Sequence, residues 1–182
     1  TVVSKYFHTD HDLIYFKSFS VKHNTFNNSR RNSKYNKYVQ DFLKRKSKKN
    51  FFNLRYRHHV PWSKLISKKV ILENEIQFDN TLAGNDGMFS AKVGFYANQV
   101  LASDRIIYIV TERHGSISKR KDLLDIRLSV QFQHAKYVFG LSKGLIEIIL
   151  STMLFLRFFG RILLNLKLFK LKKITKGDYI YE

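Results

Sequence analysis

Positive charge is spread along this chain so unevenly that one stretch is free to collapse while another repels itself. Residues 1–69 carry 17 Lys and Arg against 3 Asp and Glu, a net +14. Residues 70–135 set 7 basic side chains against 8 acidic ones, and residues 136–182 return to a net +6. A near-neutral centre between basic arms assigns folding to the middle and polyanion contact to the ends. The total of +19, with a pI near 10.1, points to nucleic acid or an anionic membrane as partner and disfavours a freely diffusing metabolic enzyme. With 182 residues, of which 44% are hydrophobic, the chain has matter for one modest core.

The centre reads as strands. In residues 70–79, Val70, Leu72, Ile76 and Phe78 share one face and Glu73, Glu75, Gln77 and Asp79 the other. Residues 89–95 alternate Phe89, Ala91, Val93 and Phe95 with small or polar positions, residues 105–112 form an apolar run, and residues 124–133 alternate without error from Leu124 to Gln133. Short links without intervening helices predict an antiparallel meander. The next segment, 144–169, is apolar around most of a helical wheel, with Lys143, Glu147, Ser151, Arg157, Arg161 and Asn165 on one narrow stripe. The expected fold is therefore α+β: a small antiparallel sheet of about four strands covered by a long C-terminal amphipathic helix, with basic N- and C-terminal extensions. The expected organisation is an extension over 1–69, a core over 70–169 and a basic tail over 170–182. The longest charge-free run in the helix, residues 148–156, is too short to span a bilayer, which predicts a soluble or interfacial helix.

Polyanion contact is expected mainly from residues 30–69, with 14 basic side chains and the single acid Asp41. Tyr35, Tyr38, Val39 and Phe42 recur at helical spacing behind Ser33, which predicts a short helix over 34–46 with a basic outer surface. Arg30, Arg31, Lys34, Lys37, Lys44, Arg45, Lys46, Lys48 and Lys49 are the expected phosphate contacts there. Beyond them Phe51, Phe52, Tyr56 and Trp62 interleave with Arg55, Arg57, His58 and His59, a mixture suited to pairing phosphates and stacking on unpaired bases, or to filling the edge of the core. A basic loop (Arg113, Lys119, Arg120, Lys121) and the tail residues Lys170, Lys172 and Lys173 complete the expected RNA-binding set.

Catalytic and metal constellations are weak. The chain has no Cys, which excludes thiol chemistry and cysteine-ligated metals. His8, Asp10, His11 and Asp12 cluster near the N-terminus but lack a distant third ligand, and Glu112, His114 and Ser116 are loop neighbours rather than a spatial triad. The GNDG sequence at 84–87 lacks the context of a nucleotide loop and reads as a turn. No enzyme activity, metal, cofactor or small-molecule substrate is expected.

The layout of arms around a small domain, with 16 Phe, 10 Tyr, a single Pro and no Cys, resembles that of organelle-encoded ribosomal proteins, here mitochondrial ones. Its excess of Phe, Tyr, Ile, Lys and Asn is the mark of an AT-rich genome. Residues 1–24 fit neither a secretory signal nor a transit peptide. The resemblance implies a structural rRNA-binding component of a mitochondrial ribosome, in the matrix, with rRNA and neighbouring ribosomal proteins as partners. The alternative is a basic accessory subunit of an inner-membrane respiratory complex, with membrane contact through the 144–169 helix; a nuclease ranks third.

Overall fold

Four consecutive large side chains, Leu13, Ile14, Tyr15 and Phe16, are each at most 1% exposed. Only a strand covered on both faces and paired on both edges hides such a run, and Leu13–Lys22 (β1) is that strand. The computed structural model describes residues 3–6, 8–117 and 120–175, with side chains described as far as residue 165. The sheet is mixed, in the order β2-β1-β3. Lys64–Ile66 (β2) pairs antiparallel with the start of β1, and Val100–Glu112 (β3) runs parallel along its whole length, with irregularities around Lys17. Asp12, just before β1, accepts hydrogen bonds through Oδ2 from the backbone N–H groups of Asn98 and Gln99 at 2.8 and 2.9 Å, fixing the entry into β3.

Ser33–Lys44 (α1) buries Tyr38, Val39 and Phe42 against the sheet. Its N-cap is Asn32, not Ser33, and the Asn32 amide is engaged with β1: Nδ2 donates to the Ser18 carbonyl, and Oδ1 accepts from Ser20 Oγ at 2.7 Å. Asn36 accepts from Ser18 N–H at 3.0 Å and donates to the Ser18 carbonyl at 2.9 Å, so two asparagines satisfy the polar half of the central strand. Lys48–Phe52 (α2) runs into a single π turn, Asn53–Arg57. Lys68–Glu73 (α3), Asn85–Tyr96 (α4), Leu124–Leu141 (α5) and Leu145–Thr175 (α6) follow, and a short 3-10 helix, Val3–Tyr6, precedes β1. Two clusters form the interior: one between the sheet, α1, α3 and α4, and a smaller one of Phe52, Ala91, Val138 and Leu150 that joins α2, α4, α5 and α6.

The fold is α+β, but the expected four-stranded antiparallel sheet is not what forms. Three of the four predicted strands are elsewhere in conformation: 70–79 is α3 and a loop, 89–95 lies inside α4, and 124–133 opens α5. Only 105–112 is strand, as part of β3. The alternation in 124–133 continues into His134–Leu141, and over that length the positions buried are Val130, His134, Ala135 and Val138, a helical rather than a two-residue period. The segment expected to be an N-terminal extension instead supplies β1 and β2, two of the three strands. α6 does not cover the sheet; it packs on α5 and α2. Of its predicted wet stripe Arg157 and Arg161 are exposed, whereas Ser151 is fully buried.

Helix α4 passes so close to the π turn that a Cβ on Gly94 would lie 2.6 Å from the Arg55 carbonyl oxygen. Gly94→Ala should therefore destabilise the domain by about 1–3 kcal/mol, since backbone rather than a flexible side chain must yield. Urea midpoints of the two proteins measure this.

Candidate active site

The site grows from the turn that leads into β2. Ser63 adopts a left-handed conformation (φ 63°), costly for a residue with a side chain, and its carbonyl accepts from Phe16 N–H at 2.8 Å. This turn sends the next side chain, Lys64, inward. Its Nζ donates to the His58 carbonyl at 2.8 Å and lies 5.2 Å from the ring centre of Tyr15, which is fully buried. Lys64 is half-buried, and an ammonium over an aromatic face keeps some electrostatic compensation for the water it has lost. Burial accordingly pushes the Lys64 pKa down to about 7, against the upward pull of the Asp86 charge.

Asp86 stands in the first turn of α4, whose N-cap is Gly84 in the left-handed region (φ 85°). A carboxylate is favoured by the unpaired N–H groups of a helix start. Burial raises the Asp86 pKa and Lys64 lowers it, so each of the two groups feels the other. The histidines that leave the π turn complete the surroundings. His58 is 1% exposed, with its ring 5.2 Å from Tyr15 and 4.9 Å from Tyr35. The His59 ring lies 4.7 Å from that of His134 of α5, tilted by 38°, and the His59 carbonyl accepts from Ser90 Oγ of α4 at 2.9 Å. Burial drives His58 and His59 well below the usual imidazole range and His134 to about 4, so all three are neutral at pH 7.

Several buried polar atoms here have no hydrogen-bond partner: Tyr15 Oη, Ser63 Oγ, both ring nitrogens of His58 and His134 Nε2. Each costs stability unless something binds it, and with the two perturbed charges they make these residues the candidate site. Trp62 roofs one side, edge-on to Tyr35 at 5.4 Å and stacked with Tyr108 of β3 at 5.8 Å.

Most of the residues expected to bind RNA lie elsewhere, although the charge of Lys34 reaches His58, His59 and His134. Arg30, Lys34, Lys37, Lys44, Arg45, Lys46, Lys48 and Lys49 are exposed on or around α1 and α2, Lys37 pairing with Asp41 at 3.0 Å. Arg31 is half-buried. Arg57 is buried and donates to Asn53 Oδ1 at 2.9 Å, and Arg55 donates to the Ala97 carbonyl at 2.8 Å while lying on the Phe51 ring. These two guanidiniums hold the π turn in place. Arg113 and Lys121 are exposed, and Arg120 is paired with Asp122. Lys119 lies outside the described residues, and Lys170, Lys172 and Lys173 lie on α6 past its described side chains. Among the described residues no group of three or more His, Asp or Glu is placed to hold a metal ion.

Nothing in the sequence singles out Lys64 or Asp86 strongly, although Asn-Asp-Gly ahead of an apolar helix is a signal for a carboxylate in a first helical turn. No family model matches the chain, and no curated protein does. Among solved structures it is similar to S. aureus TarS 1–349 in complex with UDP-GlcNAc, with a TM-score of 0.54 at 16% identity over 88% of this chain and 43% of that one. At that identity the likeness is one of fold, and the chain spans less than half of the TarS chain. The sequence predicts no enzyme, whereas the TarS structure that this fold resembles is a complex with UDP-GlcNAc.

Linkage gives this site a signature. Lys64 releases its proton near pH 7 in the folded chain and near 10.4 when unfolded, so between those values the unfolded state binds the extra proton and stability rises with pH. The rise between pH 7 and 9 should reach at most about 1.4 kcal/mol per pH unit. Below pH 7 both states are protonated and the dependence from this group ends. Lys64→Met should flatten the profile, as read from urea unfolding at pH 7 and 9.

Proposed function

We propose that this chain is the part of a glycosyltransferase that receives the acceptor and takes its proton, working on a nucleotide-sugar donor. The support is the coincidence of two things: a fold like that of a protein in complex with UDP-GlcNAc, and a half-buried carboxylate, Asp86, whose pKa is raised by burial beside a cation. In a nucleotide sugar the anomeric carbon carries a diphosphate leaving group. Transfer requires the acceptor hydroxyl to attack that carbon while the bond to the diphosphate breaks, and its proton must go to a base. Asp86 is that base. Burial makes it a stronger proton acceptor than a surface carboxylate, and the Lys64 charge opposes that rise. The neutral imidazoles of His58 and His59 and the Trp62–Tyr108 stack offer hydrogen-bonding and apolar surface without competing charge.

The test uses the full protein with UDP-GlcNAc, following UDP release with and without acceptor sugars. Asp86→Asn, assayed where it is fully folded, should lower turnover by about 100- to 10,000-fold, the usual span for loss of a general base. Equal turnover in the variant would remove Asp86 from the chemistry. Absence of any nucleotide-sugar binding would remove the donor class.

A second reading keeps the structural rRNA-binding role in a mitochondrial ribosome, favoured by the exposed basic run of Lys44, Arg45, Lys46, Lys48 and Lys49. On that reading, changing these five to Ala should make RNA affinity less steep in salt, by up to about 0.7–0.9 logarithmic units for each phosphate that is no longer neutralised. An unchanged slope on structured RNA between 50 and 200 mM salt, conditions in which phosphate contacts dominate, would leave the charge without that role.

A further inference from the structure

Helix α6 is apolar nearly all round, yet protein covers only one side of it. A helix of that composition is ordinarily buried on every face. Leu150 and Ser151 are buried, and Phe155 and Phe158 meet Phe132 of α5 at 5.9 and 5.4 Å. Opposite them, Leu145, Ile149, Met153, Leu156, Phe159 and Leu163 follow one another at steps of three or four residues, and each is 42% to 75% exposed. Such spacing puts them on a single line about 27 Å long. An unbroken exposed apolar line of that length is not ordinary surface scatter; it marks a contact with something.

Charge says with what. Within Leu145–Thr175 there are six basic residues, Arg157, Arg161, Lys167, Lys170, Lys172 and Lys173, and one acid, Glu147. Glu147 is engaged, accepting from the Lys143 backbone N–H at 3.2 Å. Arg157 and Arg161 are exposed along one margin of the apolar line, and their charges reach Lys34 of α1, so the basic surface of α1 borders the same side. Two copies of α6 laid face to face along parallel axes would bring these cations together. An anionic lipid surface instead meets each of them with a headgroup while the acyl region takes up the apolar side chains. Among the described residues no helix is long and apolar enough to cross a membrane.

We propose that α6 docks this protein on an anionic bilayer, lying in the plane of the interface with the line from Leu145 to Leu163 immersed and Arg157 and Arg161 at headgroup level. The proposal does not rest on glycosyl transfer. Vesicle binding is read with no sugar donor present, so either conclusion can fail alone.

Because the chain has no Cys, Leu163→Cys gives a single site for an environment-sensitive fluorophore. The full protein should float with phosphatidylcholine vesicles that contain phosphatidylglycerol and bind weakly to phosphatidylcholine alone. The probe should shift to the blue on binding and be quenched by brominated lipid. Leu156→Ser combined with Leu163→Ser should weaken partitioning roughly ten-fold or more, with unchanged melting because both positions are exposed. Undiminished binding of the double variant would mean that headgroup charge alone attracts the protein, and would overturn immersion of α6. A probe already shielded without vesicles, together with a dimer in sedimentation velocity, would assign the face to a second copy and overturn the lipid assignment. Absence of vesicle binding would overturn it outright.

Discussion

The structure depends on a strand that has no exposed side. β1 is paired by β2 on one edge and β3 on the other, and its first four side chains are closed off on both faces. That burial sets the positions of what lies above it. Tyr15 provides the surface under the Lys64 ammonium and beside the His58 ring, and Phe16 N–H holds the Ser63 carbonyl that turns the chain inward. A lysine held over a buried ring, in turn, gives Asp86 a neighbouring cation in an environment poor in water. The strained turn, the unpaired imidazoles and the two displaced acidities therefore have one origin.

Such a site is a net cost to the fold. A partly desolvated ammonium and several orphan polar atoms each subtract from a stability that is small to begin with. The chain offsets this elsewhere: the asparagines of α1 satisfy the polar half of β1, Arg55 and Arg57 satisfy carbonyl and amide oxygens around the π turn, and Gly94 lets α4 approach that turn. Some of the arginines that look like phosphate contacts in the sequence are committed to this support.

What was legible in the sequence follows from how many partners each element has. The stripe of Tyr35, Tyr38, Val39 and Phe42 makes α1 readable because one face meets one sheet. The apolar run at 105–112 is readable as strand by its β-branched and aromatic composition, although only Val110 within it is buried. The alternation at 124–133 misleads, because alternating Leu, Ile and Val also lands on a helix that packs on two sides, and only its continuation through His134 and Val138 decides the matter. β1 was hidden for the opposite reason. It lies in a segment whose charge suggested an arm, and a parallel pairing with β3, far away in sequence, leaves no local signal. The site was illegible since Lys64 and Asp86 are ordinary residues in sequence; only the fold, which desolvates both within reach of each other's charge, gives them unusual acidity. α6 shows the converse, with an apolar composition that sequence reading attributed to a core and that the structure leaves largely uncovered.

The coupling of Lys64 to Asp86 is the claim on which the functional account stands, and it is directly measurable. Carbon-13 labelling of lysine followed by NMR titration separates Lys64 from the surface lysines through the Lys64→Met spectrum. The account predicts a Lys64 midpoint near 7 that falls further in Asp86→Asn, because the carboxylate's charge favours the ammonium. A midpoint among those of the exposed lysines, near 10.4, and indifferent to Asp86→Asn, would contradict it.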